Sequence, residues 1–135
     1  MEYSIEERKI STEEYQCIRA STNWGKLENK VVEKALKNDL YSVCITHENK
    51  LIGIGRVVGD GAIYFYVQDV IVITQYRSKG IGRLIMENIE KYISANTSRN
   101  SFVGLMAAEG VINFYKKFSY KERPINRPGM YKLIY

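Results

Sequence analysis

Apolar and polar positions alternate along the chain with two periods, and the switches between them mark out the elements. A weakly alternating stretch from Tyr3 to Ile10 reads as an edge strand. Ser11-Thr12-Glu13-Glu14 then has the Ser-x-x-Glu form of a capping box, with Tyr15, Ile18 and Arg19 following at helical spacing. After Asn23-Trp24-Gly25, a second helix is predicted over Glu28 to Asn38, where Val31, Val32, Ala35 and Leu36 recur at three- and four-residue intervals. From Leu40 the period shortens. Two β-rich runs flank His47-Glu48-Asn49-Lys50 and predict a hairpin, and Gly59-Asp60-Gly61 forms the next turn.

Ala62 to Ile73 is rich in β-branched and aromatic residues and is predicted as a central strand buried on both faces. Ile81, Leu84, Ile85, Ile89 and Tyr92 then form one helical stripe over Gly80 to Ala95. A short strand over Phe102 to Met106, a short helix over Gly110 to Phe118 and a closing strand over Tyr131 to Tyr135 complete the prediction. The order is that of a mixed α/β domain, and its strand–loop–helix–strand portion implies a right-handed crossover with two parallel strands.

At 135 residues with 45% hydrophobic and 26% charged positions, this pattern fits one domain spanning residues 1–135. A net charge of +5 suggests an anionic ligand, while the basic residues are too scattered for a nucleic-acid platform. Two cysteines and one histidine are too few for an ordinary zinc site, so no metal is expected. Any mechanism built on a histidine would have to use His47, in the hairpin turn. The first ten residues are charged and no apolar run is long enough to cross a bilayer, so a cytoplasmic, membrane-free protein is expected.

The segment Gln75 to Gly82 joins the most apolar strand to the most amphipathic helix. A helix N-terminus offers unpaired N–H groups and the positive end of its dipole, and Gly80 and Gly82 allow an anion to approach closely. Arg77 and Lys79 add charge, so a diphosphate is the natural guest. The chain has no Gly-x-x-x-x-Gly-Lys-Ser/Thr string, and neither Gly53-x-Gly55 nor Gly80-x-Gly82 completes a dinucleotide fingerprint.

Arg77-Ser78-Lys79-Gly80-Ile81-Gly82, following Asp69-Val70-Ile71-Val72, resembles motif A of the GCN5-related N-acetyltransferases, Arg/Gln-x-x-Gly-x-Gly/Ala. Asn113-Phe114-Tyr115-Lys116-Lys117-Phe118-Ser119-Tyr120 is similar to motif B, with Ser119 where the family usually has glycine. The likeness runs from about Leu40 to Tyr120 and extends to a group of small bacterial acetyltransferases, most of them of unassigned substrate. It implies a central, mostly antiparallel sheet with two splayed parallel strands and flanking helices. It also implies that acetyl-coenzyme A binds between those strands.

On this resemblance the cofactor residues are Val70, Ile71, Val72, Arg77, Ser78, Lys79, Gly80, Ile81, Gly82, Asn113 and Tyr115, with a backbone N–H around Val70 to Val72 as oxyanion donor. Tyr115 would protonate the departing thiolate; the alternative is a core-packing role with Phe114 and Phe118. Asp69, a carboxylate inside an apolar strand, is either the base that deprotonates the acceptor or an acceptor of structural hydrogen bonds. Glu109, near a helix N-terminus, is a second base candidate, the alternative being a favourable interaction with the helix dipole. Trp24, Arg56, Tyr64, Tyr66 and Met130 are candidate linings of the acceptor pocket. The expected reaction is direct attack by a primary amine of a small molecule. Alternatives are acetylation of protein N-termini or lysines, or a non-catalytic coenzyme A- or nucleic-acid-binding module. A homodimer is left open.

Overall fold

The computed structural model describes residues 2–135. Its elements are β1 (Ser4–Glu6), α1 (Thr12–Arg19), α2 (Asn29–Lys37), β2 (Tyr41–His47), β3 (Lys50–Gly59), β4 (Tyr64–Val72), α3 (Ile81–Asn96), β5 (Phe102–Gly104) and α4 (Ile112–Lys116), with a 3₁₀ turn at Thr74–Tyr76. The five strands form one sheet in sequential order, antiparallel from β1 to β4 and parallel between β4 and β5.

The local signals act as their chemistry requires. Ser11 caps α1: its hydroxyl accepts from the Glu14 N–H, and the Glu14 carboxylate accepts from the Ser11 N–H. Between β2 and β3, Glu48 and Asn49 both have positive φ, 52° and 62°, the pattern of a type I′ turn that matches the twist of the hairpin.

Helices cover both faces of the sheet. On one side Tyr15, Ile18, Val32 and Leu36 of α1 and α2 pack with Cys44, Ile54 and Ile71. On the other, Ile81, Ile85, Met86, Ile89 and Ile93 of α3 pack with Val43, Ile45, Val57, Phe65 and Val67. Gly53 and Gly55 let α3 lie close on β3, because a Cβ at Gly55 would fall 2.4 Å from Ile85 Cγ2 and 2.9 Å from Ile89 Cδ1. Their role is helix packing.

Three expectations need correction. The N-terminal strand is confined to Ser4–Glu6. β4 is buried on alternate positions rather than on both faces, because Val70 and Val72 open onto a cavity beside α3. Tyr131 to Tyr135 forms no strand, since no described residue pairs with it, and the segment is exposed throughout.

A bulge in β4 shifts the phase of the strand. Ile54 pairs with Ile71 and Arg56 with Gln68, so Asp69 and Val70 together oppose Gly55, and Asp69 sits at φ 55°. Phe65 and Val67 before the bulge, and Val70 and Val72 after it, all pack with the α3-side core, while Asp69 and Ile71 turn toward α1 and α2.

Candidate active site

The site begins where β4 and β5 part. The two strands pair from Tyr64↔Phe102 to Tyr66↔Gly104 and no further, so beyond Tyr66 the β5-side edge of β4 is open. A cavity of about 1040 Å³ lies beside this gap, bounded by β4, the N-terminus of α3 and α4.

Its cationic end is built on backbone. Gly80 is the N-cap of α3 in the left-handed region at φ 84°, with no side-chain cap, which leaves the first N–H groups of the helix without an intrahelical partner. A Cβ at Gly80 would meet nothing within 4 Å, so the space above the loop is clear. Ser78 is also left-handed, at φ 62°, and Arg77 ties the loop to β4 by donating from Nε to the Val72 carbonyl at 3.2 Å. Arg83 and Lys117 join Arg77 around the cavity, with Glu87 as the acidic neighbour of Arg83 at 2.8 Å. An uncapped dipole end beside three cations suits a diphosphate.

At the opposite wall stands α4. Val111, Phe114, Tyr115 and Phe118 face the cavity, and the Phe114 ring meets those of Tyr115 and Phe118 edge-on at 5.1 and 5.5 Å. Burial pushes the Tyr115 phenol above its ordinary value, so it holds its proton at neutral pH. Among the described residues no hydrogen-bond partner meets its hydroxyl. Tyr115 also borders a smaller cavity of about 330 Å³ lined by Leu105, Ala107, Pro128 and Gly129 among others. Ser119 adopts φ 71°, the conformation a glycine would take there. The Ser119 and Tyr120 N–H groups donate to the Lys116 and Tyr115 carbonyls, closing α4 by the Schellman pattern.

Asp69 stands on the other face of β4. Its Oδ2 accepts from Arg56 Nη1 and from the Tyr15 hydroxyl, both at 2.8 Å, and Oδ1 accepts from Gln68 Nε2 at 3.2 Å. Arg56 in turn donates to Asp39 at 3.3 Å, and Asp39 is also paired with Lys9. The geometry is that of a buried ion pair whose carboxylate is hydrogen-bonded at both oxygens.

Of the cofactor residues read from sequence, Val70, Val72, Arg77, Ser78, Gly80, Ile81, Gly82 and Tyr115 line the large cavity. Ile71 faces the α1/α2 core, Lys79 points to solvent, and Asn113 lies away from the cavity, beside Gly110 and Lys116. The proposed acceptor linings do not converge. Arg56 is 6% exposed and committed to its carboxylates, Trp24 stacks on Arg19, and Tyr64 lies against Phe102 at the far end of β4. Tyr66 is half-buried on β4 and Met130 lies exposed in the C-terminal segment. Glu109 is exposed ahead of α4. His47 meets the Tyr76 hydroxyl through Nδ1 at 2.6 Å, and Tyr76 lines the cavity. Tyr76, Arg83 and Lys117 were not expected as lining residues. The 111-114-118 spacing, with Lys117 three residues after Phe114, is the signal that would have found Lys117.

The comparisons agree with this arrangement. Residues 8–128 match the family described as acetyltransferase (GNAT) domain. The uncharacterized N-acetyltransferase ycf52 of Porphyra purpurea is 25% identical over 96% of this chain and 75% of its own length. Its counterpart from Gracilaria tenuistipitata var. liui is 29% identical over 82% of this chain, which spans 62% of it. A crystal structure of a probable acetyltransferase of unknown function from meticillin-resistant Staphylococcus aureus superposes with a TM-score of 0.91 at 30% identity, covering 98% of this chain and 100% of that one. With a five-stranded mixed sheet parted at the end of the β4–β5 ladder, and with this match over nearly its whole length, the chain belongs to the GCN5-related N-acetyltransferase family and is an acyltransferase.

Proposed function

We propose that the protein transfers an acetyl group from acetyl-coenzyme A to a primary amine of a small molecule by direct attack, in the cytoplasm. The observation that carries this reading is the single cavity that joins the uncapped N-terminus of α3 to Tyr115 along the open edge of β4. The residues present fit the cofactor. The N–H groups from Ile81 onward, with Arg77, Arg83 and Lys117, would hold its diphosphate, and the clear space above Gly80 admits it.

When bound, acetyl-coenzyme A supplies a thioester whose carbonyl carbon a neutral amine nitrogen attacks, the carbon–sulfur bond breaking as the amide forms. Beyond Tyr66 the β5-side edge of β4 has no strand partner among the described residues, and a backbone N–H there, between Val70 and Val72, would stabilise charge on the carbonyl oxygen. Tyr115 would deliver its phenolic proton to the sulfur, while the attacking nitrogen gives up its own proton to water, from which the phenol is reprotonated. Asp69 anchors the bulge that turns Val70 and Val72 toward the cavity, through its bonds to Arg56 and Tyr15.

The runner-up acceptor is a protein amine. A relative that is 23% identical is named a histone acetyltransferase in Glycine max, and a fold neighbour is the ribosomal-protein-S18-alanine N-acetyltransferase of Escherichia coli. Another fold neighbour is a glucosamine-6-phosphate N-acetyltransferase from Arabidopsis thaliana, so the fold alone accommodates both classes. Thiol release from acetyl-coenzyme A against a panel of small amines and lysine- or N-terminal peptides decides between them. Turnover with small amines and none with peptides is expected. The reverse result would assign the protein class, and no turnover with either, despite binding, would leave a coenzyme A-binding module.

A further inference from the structure

The chain has a single histidine, and the acetyl transfer proposed for it makes no use of that residue. His47 closes β2 at the mouth of the β2–β3 turn, opposite Lys50. Its ring is not left to solvent. Nδ1 lies 2.6 Å from the Tyr76 hydroxyl, and the Tyr3 ring, just ahead of β1, meets the His47 and Tyr76 rings edge-on at 5.5 and 6.3 Å. The His47 and Tyr76 rings are themselves 5.4 Å apart and inclined at 70°. Tyr3 and Tyr76 both pack against the α3-side core, which anchors the three rings to the sheet. An imidazole nitrogen bonded to a phenol, inside such a cluster, fixes both the place of the hydroxyl and the plane of its ring.

Tyr76 is where this matters, because it lines the large cavity and immediately precedes Arg77. From there the chain runs exposed through Arg77, Ser78, Lys79 and Gly80, with Ser78 and Gly80 in the left-handed region. The strand ladder ends as the Ile73 N–H donates to the Ile52 carbonyl at 3.0 Å. After it come local bonds. The Tyr76 N–H donates to the Ile73 carbonyl at 3.0 Å, the Arg77 N–H to that of Thr74 at 3.2 Å, and Arg77 Nε to that of Val72 at 3.2 Å. These fall within residues 72–77 and tie the turn to its own approach, whereas the Tyr76 hydroxyl reaches a separate element, 29 residues distant in sequence. An anion-binding loop gains affinity when its donors are ordered before the ligand arrives, since the entropy of ordering then no longer opposes binding.

We propose, resting on the reading of the large cavity as the coenzyme A site, that His47 is a positioning residue for the cofactor loop. It holds Tyr76, and through Tyr76 the turn that presents Arg77 to Gly80, in the arrangement that receives the diphosphate. His47 is not itself a lining residue of the cavity, so its effect passes through the Tyr76 hydroxyl. Losing either partner should therefore have the same consequence, and losing both should add nothing.

Calorimetric titration of coenzyme A into the untagged protein tests this pairing. Tyr76→Phe keeps the ring contacts with Tyr3 and His47 and deletes only the hydroxyl. His47→Ala and Tyr76→Phe should each weaken coenzyme A about tenfold, the upper worth of one neutral hydrogen bond. The double variant should bind no more weakly than either single one. His47→Gln, whose side-chain amide can still meet the hydroxyl, should recover most of the affinity. A second readout needs no ligand: with one histidine in the chain its imidazole nitrogen signals need no assignment, and Tyr76→Phe should displace them. Unmoved signals overturn the proposal, because they would place the histidine in solvent. Unchanged coenzyme A affinity in Tyr76→Phe overturns it while the cavity reading stands, and that variant decides the matter should His47→Ala fail to fold. Additive losses in the double variant overturn it by making the two side chains independent. No binding of coenzyme A to the unaltered protein overturns the cavity reading, and the role of His47 with it.

Discussion

Tyr115 and Asp69 sit on opposite faces of the same parted sheet, and their surroundings divide the chemistry between them. The Tyr115 phenol has no hydrogen-bond partner among the described residues and is held above its ordinary pKa by burial, so it keeps its proton throughout the neutral range. Tyr115→Phe keeps the ring contacts with Phe114 and Tyr120 and removes only the hydroxyl. We expect kcat to fall about 10²-fold with coenzyme A affinity unchanged. The unaltered enzyme should lose rate only when the pH rises beyond the ordinary phenol range; a rate–pH profile checks this limb, which the variant should lack. Asp69→Asn tests the other face. Asn tolerates the positive φ at this position, so the change isolates the charge. Arg56 would keep Asp39 as its one carboxylate partner beside the Ala35 carbonyl, at an expected cost of about 3 kcal/mol in stability, read by chemical denaturation. If Asp69 serves the bulge alone, the rate per folded molecule keeps its pH profile. A rate loss that recovers as the acceptor amine deprotonates would make Asp69 the base.

At the scale of elements, the glycines separate packing from binding. Gly55 lies under α3, so Gly55→Ala should overpack the helix–sheet seam and destabilise by about 1–3 kcal/mol. Gly82 lies inside the first turn of α3, where a Cβ meets only the Phe114 ring at 3.5 Å. Gly82→Ala should therefore raise the melting temperature, by up to about 1 kcal/mol of stability, while weakening coenzyme A in a binding titration. The capping box of α1 gives a pH signature. Arg8, together with the Ser11 bonds, holds the Glu14 carboxyl down at about 2. A carboxyl lowered on folding stabilises above its unfolded pKa, so this contribution is present above pH 4.5 and is lost as pH falls toward 2. In Glu14→Gln the acid limb of stability against pH should flatten. These elements were legible in the sequence because each carries a local signal: Ser11 with Glu14, the paired turn residues Glu48 and Asn49, and the α3 stripe. The loop at Arg77 to Gly82 was legible for the same reason. The acceptor side was not, because Arg56 and Asp69 are neighbours only across the β3–β4 register, and no spacing along the chain announces their ion pair. The closing strand failed differently: its composition was right and its partner was missing.

For the whole molecule, the short β4–β5 ladder matters beyond the room it leaves for a ligand. The portion from Phe102 to Tyr120 is joined to the remainder by three paired residues, by aromatic packing onto α3, and by the Tyr120 hydroxyl, which donates to Glu90 at 2.8 Å. A region held by so few backbone bonds opens by itself, without global unfolding. Amides of β5 and α4 should exchange with deuterium well before those of β2, β3 and α3 in the free protein. Saturating acetyl-coenzyme A at about 100 times its dissociation constant should slow that local exchange by up to about 100-fold, the mass-action limit for a ligand that binds only the closed form. Equal protection of both portions without ligand would contradict it. On the proposed function, the parted ladder would make the cofactor a structural strut: the enzyme would be stiffest along its length when loaded, and loosened again each time coenzyme A departs.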